Sequence, residues 1–415
     1  MNLRPSPALH RLMSQVRNLD GVFAVHKPAD ITSYDVIRDL QKHFKASKFF
    51  QPWLEAERKR LSELPQQGRR HKHKKVDIKL GHGGTLDPIA TGVLITGVGK
   101  GTKELGGFLG CTKTYEAVVL FGVATDSYDR VGKVVKRAPY DHVTREAVEK
   151  ALEQFRGRIM QKPSIFSALK VQGKKLYEYA REGKEPPVEI AKRPVEVFDL
   201  RILEWYEGGT HDYSWPEEEA GENEKRIANK MFGNTEERDT ATPCATDDHQ
   251  ASKRKSPPPA DAGTSVTEAE SLEPPAKRPK TGLESEATPQ PPASAGMSTE
   301  LAPDAPSGKT GSRGPPAVKL TMTVSSGFYV RSLAHDLGVA LGSNAIMSSL
   351  VRTRQGDFDI SPENIIEYKD LEAGEDVWGP KLQRFLDRWA SRKAEGKEGE
   401  KEPQSDGKRD EEFEL

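Results

Sequence analysis

Between residues 233 and 316 this 415-residue chain has no Phe, Tyr, Trp or Ile, and Val266 is the only valine there. Such a stretch cannot bury enough apolar surface to offset the conformational entropy of ordering it. Whatever folds must be assembled from the sequence on either side. Without this insert and a charged C-terminal tail, roughly 250 residues of ordinary core composition remain, enough for one large or two intimate domains. The flanks of the insert are expected to meet, because loop-closure entropy grows slowly with length. Before it, residues 193–205 are rich in Val, Ile and Leu; after it, Val318, Leu320, Met322 and Val324 alternate with polar residues. Both read as strands, and they make sense as neighbours.

The rest of the chain supplies partners for them. Val22 to Val25 reads as a short buried strand stopped by Pro28. Thr32 and Asp35 have the spacing of a capping box, and Val36, Ile37, Leu40 and Phe44 follow at helical spacing. Val148, Leu152 and Phe155 mark one face of a helix over 145–156, and Leu333, Leu337 and Leu341 mark another over 329–341. Strands separated by helices of modest length indicate an α+β fold on a large sheet.

Charge is balanced overall, with 63 Lys+Arg against 63 Asp+Glu, but its placement is uneven. Acidic residues concentrate in the insert and the tail, which leaves basic segments free to meet a polyanion. Arg69 to Lys75 is a basic run that reads either as a solvated loop or as an RNA-contacting or import patch. The two cysteines, Cys111 and Cys244, lie far apart, and no Cys/His spacing suits zinc. No metal and no cofactor is expected. No apolar run approaches the length of a membrane-spanning helix, so no membrane partner is expected. Arg4, Arg11 and Arg17, with no acidic residue before Asp20, fit either an organellar presequence or a frayed extension.

The densest chemical information is Gly81-His82-Gly83-Gly84-Thr85-Leu86-Asp87-Pro88, continued by Ile89-Ala90-Thr91-Gly92-Val93-Leu94. Glycines before Thr85 permit backbone shapes closed to other residues. Asp87, preceding a proline, is biased toward extended geometry, so its carboxylate projects from a fixed turn. The apolar run after Gly92 anchors that turn to a core. Read without further context, the segment is a rigid loop presenting one acid and one histidine, and an Asp before Pro is more often a turn former than a catalyst.

This segment resembles the catalytic motif of the TruB family of pseudouridine synthases, G-H-x-G-T-L-D-P followed by A-T-G-V-L. Other blocks occur in the family's order. They are Lys27-Pro28 with Thr32-Ser33, Lys113-Thr114-Tyr115, and Thr125-Asp126 with Asp129 and Gly132. Ser167-Ala168-Leu169-Lys170 with residues 176–181, Tyr329-Val330-Arg331-Ser332-Leu333, and Leu350-Val351-Arg352 complete them. The resemblance implies a pseudouridine-synthase catalytic fold with a large, mixed, mainly antiparallel sheet flanked by helices and loops. It implies that Asp87 is the catalytic carboxylate, acting on a uridine at position 55 in the T-loop of tRNA. Tyr115 falls on the tyrosine that stacks on the flipped base, Arg331 on the arginine that pairs with the aspartate, and Tyr329 and Leu350 on pocket-lining positions. His82 matches a histidine that helps hold the splayed RNA loop. The other readings of these residues are a core tyrosine at Tyr115 and a helix cap at Arg331.

Uridine in a folded loop must be extruded before a protein group can reach its glycosidic bond. Residues 162–193 supply a plausible clamp, with Lys170, Lys174, Lys175 and Arg181 interleaved with Tyr177 and Tyr179. Lys27 is expected to contact RNA as well. The expected partner is the T-arm of tRNA; other RNAs with T-loop-like hairpins stay open as substrates, and a monomer is the default. The expected organisation is an N-terminal extension over 1–20 and a catalytic domain over 21–204 and 317–360. A basic insertion over 46–79, a disordered insert over 205–316, and a short C-terminal extension with a charged tail over 361–415 complete it. The inserts resemble those of fungal and other eukaryotic relatives and suggest a nuclear and mitochondrial distribution, with cytoplasm open. Two rival readings are the guide-RNA-dependent branch related to dyskerin and a non-catalytic tRNA chaperone. The first needs a further RNA-binding domain for which residues 356–415 leave no room. The second has no use for the set Asp87, Tyr115 and Arg331.

Overall fold

The computed structural model describes residues 19–63, 76–228 apart from Ala168, Gly183, Asn223 and Ile227, and 314–399. The N-terminal arginines, the run Arg69 to Lys75, most of the low-complexity insert and the end of the charged tail lie outside the described residues.

Strand β1 (Gly21–Lys27) leads into helices α1 (Ser33–Ala46) and α2 (Gln51–Ser62), then β2 (Leu80–His82) and β3 (Thr91–Val98). Helix α3 (Leu105–Gly110), β4 (Lys113–Phe121) and a hairpin of β5 (Val123–Thr125) and β6 (Val134–Arg137) follow. Next come α4 (Arg145–Leu152), β7 (Gly157–Gln161), a small hairpin of β8 (Lys170–Val171) and β9 (Lys174–Lys175), and α5 (Leu176–Arg181). The long β10 (Arg193–Tyr206) and β11 (Ala317–Val324) precede α6 (Val330–Ala340), β12 (Ala345–Gln355), β13 (Phe358–Asp359) and β14 (Ile366–Glu367). Helices α7 (Tyr368–Ala373) and α8 (Glu375–Gly399) end the described chain.

Ten strands form one sheet in the order β14-β1-β3-β12-β4-β11-β10-β7, with β2 added on β3 and β13 on β12. β1 runs parallel to β14 and β3 parallel to β12; the other pairs are antiparallel. The sheet is therefore mixed and mainly antiparallel, as expected. β10 and β11 are neighbours, with Tyr206 opposite Ala317, so the chain leaves and re-enters the sheet side by side.

Both faces of the central strands are covered. Tyr115, Ala117, Val119 and Phe121 of β4 pack with Val148 and Leu152 of α4 and Leu333 and Leu337 of α6. Val118 and Leu120 face the other way, against Tyr206, Tyr213 and Trp215. Burial on both sides explains why β4 reads as a near-continuous apolar run rather than a clean alternation. The capping box of α1 forms as expected: Asp35 N–H donates to Thr32 Oγ1 at 3.1 Å, and Thr32 N–H donates to the Asp35 carboxylate at 3.0 Å.

Three segments outside the expected core carry structure of their own. Part of the segment 46–79 is the helix α2, whose Leu54 packs with Phe50 and Phe44 in a buried cluster, so apolar residues hidden in a basic stretch set its structure. The ordered core extends past residue 205, because Trp215 packs at the sheet and its Nε1 donates to the Phe121 carbonyl at 2.8 Å. The C-terminal region is no mere extension. Trp378, Leu382 and Leu386 of α8 close the core over Phe23 of β1, and Trp378 lies 4.9 Å from the ring of Phe44.

One glycine fixes how closely β3 approaches β12. Gly92 has φ of +103°, and a Cβ there would stand 2.3 Å from the carbonyl oxygen of Arg352. Only glycine fits, and the contact brings Arg352 beneath the loop that precedes β3.

Candidate active site

The loop over 83–90 is held mainly through its peptide groups. Gln355, fully buried, donates from Nε2 to the Gly83 carbonyl at 2.6 Å. Arg352 is buried too; its Nη2 and Nη1 donate to the carbonyls of Gly84 and Thr85, both at 3.3 Å, and its Nε to that of Val93 at 2.8 Å. From the opposite side the Ser33 hydroxyl engages both ends of the Leu86 residue, accepting from its N–H at 2.9 Å and donating to its carbonyl at 3.1 Å. Lys27 Nζ donates to the carbonyls of Pro88 at 2.9 Å, Ala90 at 2.7 Å and Pro28 at 2.8 Å. Asp30 N–H adds a further bond to Pro88 at 2.8 Å.

These bonds explain the spacing Lys27-Pro28 and Thr32-Ser33: the Lys27 and Ser33 side chains, set on either side of a turn, reach across to a loop 53 to 63 residues later. They also correct one expectation. Lys27 is fully buried, with its three bonds spent on backbone carbonyls, and burial lowers its ammonium to about 8; it builds the loop and presents nothing to RNA.

On this frame Asp87 projects into a cavity of about 330 Å³. Its carboxylate is gripped by Arg331, with Nε 2.9 Å from Oδ2 and Nη2 3.1 Å from Oδ1. Arg331 is 6% exposed, so its charge is held away from bulk water, where a two-pronged ion pair is strongest and most directional. Its remaining donors are fixed as well: Nη1 to the Ser127 carbonyl at 3.1 Å and Nη2 to the Phe166 carbonyl at 3.0 Å. Behind it, Asp129 Oδ2 stands 3.6 Å from Nη1. Asp129 is buried, and burial raises its carboxyl above the usual range, although Arg331 and the Ser127 hydroxyl pull the other way.

Tyr115, Tyr329 and Leu350 line the same cavity, together with Lys113, Phe166 and Arg352. Tyr115 lies on β4 and contributes to the core behind the cavity, so its structural and functional readings are compatible. Tyr329 precedes α6, and its peptide is bracketed by the buried Gln161: Tyr329 N–H donates to Oε1 at 2.7 Å and its carbonyl accepts from Nε2 at 2.9 Å. Neither Gln161 nor Gln355 is legible as a site residue in the sequence, because each acts on backbone far away along the chain. His82 stands elsewhere. It ends β2 opposite Thr96, outside the cavity lining, and its Nδ1 is buried without a hydrogen-bond partner. Burial pulls its imidazole below the usual histidine range.

The basic and aromatic segment after β7 is anchored to the same centre through the Phe166 carbonyl. Lys170 is exposed; Lys174 Nζ lies 4.6 Å from the centre of the Tyr179 ring and Lys175 Nζ 5.2 Å from that of Tyr177. Cations seated on aromatic faces form a surface suited to phosphate and base together. Arg181 ends α5, but its side chain lies outside the described residues.

A larger cavity, about 540 Å³, opens beyond Ser127 and Phe166. Asp126, Glu182, Glu218 and Glu224 outnumber Lys133 and Lys184 around it, so it suits neither a phosphate nor a carboxylate nucleophile paired with a fixed cation. Among the described residues no group of His, Cys, Asp or Glu stands ready to hold a metal ion, and no helix is long and apolar enough to cross a membrane.

Comparison with known proteins agrees with this arrangement. Residues 69–214 match the TruB family pseudouridylate synthase N-terminal domain, and residues 331–388 match the tRNA pseudouridylate synthase B C-terminal domain. The chain is 37% identical over 365 residues to tRNA pseudouridine synthase 4 of Schizosaccharomyces pombe, covering 85% of this chain and 83% of that protein. It is 33% identical over 388 residues to tRNA pseudouridine synthase 4 of Saccharomyces cerevisiae, covering 90% and 86%. A shorter match, 46% over 130 residues, joins 31% of this chain to 44% of tRNA pseudouridine synthase B of Acaryochloris marina. With relatives this similar over most of both chains, the protein belongs to the TruB family of pseudouridylate synthases, an isomerase family.

Proposed function

We propose that this chain converts uridine to pseudouridine in the T-loop of tRNA, at position 55, with Asp87 as the acting carboxylate. The observation that carries the reading is the Asp87–Arg331 pair: an acid on a rigid loop, held by both oxygens at the edge of a cavity lined by Tyr115. The names of the two yeast relatives support tRNA as the substrate.

The reaction requires the N1–C1′ bond of the uridine to break, the base to turn, and a C5–C1′ bond to form. The proton leaves C5 and a proton is taken up at N1, so the product is an isomer of the substrate. A cavity of about 330 Å³ accommodates one extruded base, which loses stacking worth a few kcal/mol and regains it against protein. Asp87 supplies the carboxylate that drives departure of the base, by adding to the sugar or to the base. Arg331 keeps that carboxylate in one orientation, and orientation of this kind accounts for much of the rate an enzyme adds. Tyr115 packs against the base and stands within reach of its C5 edge. The Lys174–Tyr179 and Lys175–Tyr177 pairs receive phosphate and splayed bases outside the cavity.

The test is to incubate purified protein with an unmodified tRNA transcript, without guide RNA, and to map pseudouridine by carbodiimide-adduct primer extension. A stop at the T-loop uridine that disappears in Asp87→Asn supports the reading. Tight tRNA binding with no pseudouridine in any position would instead favour a chaperone or a guided enzyme.

A further inference from the structure

Helix α8 carries Arg384, Arg388 and Arg392 at four-residue intervals, so all three lie along one face, and all three are exposed. A charged helix face is often only a solvated surface, but four observations distinguish this one. First, carboxylates do little to neutralise it. Arg388 Nη1 donates to the amide oxygen of Asn364 at 2.9 Å, and Arg384 Nη2 to the Glu363 carbonyl at 3.3 Å. Among the described residues only Arg392 of the three approaches an acid, Asp357 at 3.9 Å. Second, Asp387 on the same helix keeps its charge but accepts from Gln383 Nε2 at 2.7 Å, and among the described residues it forms no ion pair with these arginines.

Third, the guanidinium groups are seated on aromatic carbon. Arg384 and Arg388 lie 5.3 and 5.9 Å from the centre of the Phe385 ring, and Arg388 and Arg392 line a small hollow of about 80 Å³ with Trp389 and Phe358. Fourth, packing links this helix to the wall of the Asp87 cavity. Trp389 packs on Phe108 of α3 at 6.0 Å, and the next residue, Leu109, is 57% exposed and lines that cavity. A cationic face backed by aromatic rings, on a helix packed against the wall of a nucleotide-sized cavity, has the chemistry of an RNA surface.

We infer that the α8 arginine face, with Trp389, binds the phosphate backbone of the substrate RNA outside the stem-loop that enters the Asp87 cavity. It makes a second RNA contact on a different element from the clamp over 162–193. This rests on the proposed reading of the protein as a tRNA-modifying enzyme.

The test compares the full-length protein with Arg388→Ala/Arg392→Ala on two RNAs, an unmodified tRNA transcript and a hairpin of the T-stem and loop alone, across a KCl series. For the tRNA we expect affinity to fall about 10-fold and the slope of log Kd against log salt to shrink by about 1–2, one unit for each lost phosphate contact. Hairpin affinity stays the same, and so does the single-turnover rate at saturating tRNA. Arg388→Lys/Arg392→Lys retains the slope. An unchanged affinity and slope on tRNA overturns the inference, as does equal weakening on both RNAs. If the wild-type protein forms no pseudouridine on either RNA, it is the proposed function that fails, and this is read separately from the salt slopes.

Discussion

Arg331 holds Asp87 by both carboxylate oxygens, through Nε at 2.9 Å and Nη2 at 3.1 Å, while Nη1 donates to the Ser127 carbonyl and Nη2 also to the Phe166 carbonyl. A planar fork with four fixed partners cannot be replaced by a point charge. In Arg331→Lys the carboxylate loses its second anchor and one or both carbonyls lose a donor. We expect kcat to fall about 100-fold or more, with tRNA affinity within about threefold of wild type. Single-turnover kinetics beside filter binding would check this; equal losses in both would mean the pair serves binding instead.

Ser33 gives a second prediction. Its hydroxyl satisfies both the N–H and the carbonyl of Leu86, the residue before Asp87. Ser33→Ala leaves two buried polar groups short of a partner, at a cost of about 2 kcal/mol and a fall in Tm of roughly 4–8 °C. Because the loss lies beside the carboxylate, the rate should drop about tenfold below the melting range. Thermal melts and rates measured on the same preparation would reveal whether loop geometry and stability are linked in this way.

At Gly92 the backbone itself leaves no room. A Cβ there meets the Arg352 carbonyl oxygen at 2.3 Å, and φ is +103°. Gly92→Ala should force β3 and β12 apart at the one place where Arg352 passes beneath the loop, costing about 2–3 kcal/mol. Reduced soluble yield and a lower melting temperature are expected, and a variant as stable as wild type would contradict the packing described.

Asp336 yields a prediction with a pH axis. It lies on α6, and burial raises its carboxyl from 3.8 to about 7, against the opposing pull of Lys192 and Lys162. The folded state keeps a proton that the unfolded chain has released, so stability from this group is present at low pH and declines as pH rises from about 4 through about 7. Asp336→Asn removes that dependence. Its melting temperature relative to wild type should climb between about pH 4 and pH 7 and level off above, and a flat difference across that window would count against the assignment.

Much of this molecule is legible in its sequence because local rules and tertiary structure agree. The capping box at Thr32, the alternation of Val318 to Val324 and the glycine-rich approach to Asp87 each point to what forms. What stays hidden depends on contacts between distant residues. Lys27 reads as a surface cation because lysine usually is one, and only the folded chain brings three carbonyls to its ammonium. Gln161 and Gln355 are ordinary strand residues until the backbones they bracket arrive from Tyr329 and Gly83. Helix α2 escapes notice because Leu54 and Phe50 are few among many charges, and α8 because its buried Trp378, Leu382 and Leu386 precede a tail that is nearly all charge.

The loop over 83–90 is moulded mainly by bonds to its peptide groups, from Gln355, Arg352, Ser33 and Lys27. On the proposed reading, shape and chemistry are thereby assigned to different atoms of the same stretch. The bonds that form the mould do not involve the side chain at position 87, so the carboxylate can be removed and the receptor kept. If Asp87 is the acting carboxylate, a copy with asparagine there, overproduced beside the active protein, would occupy the same RNAs without altering them and act as a dominant competitor.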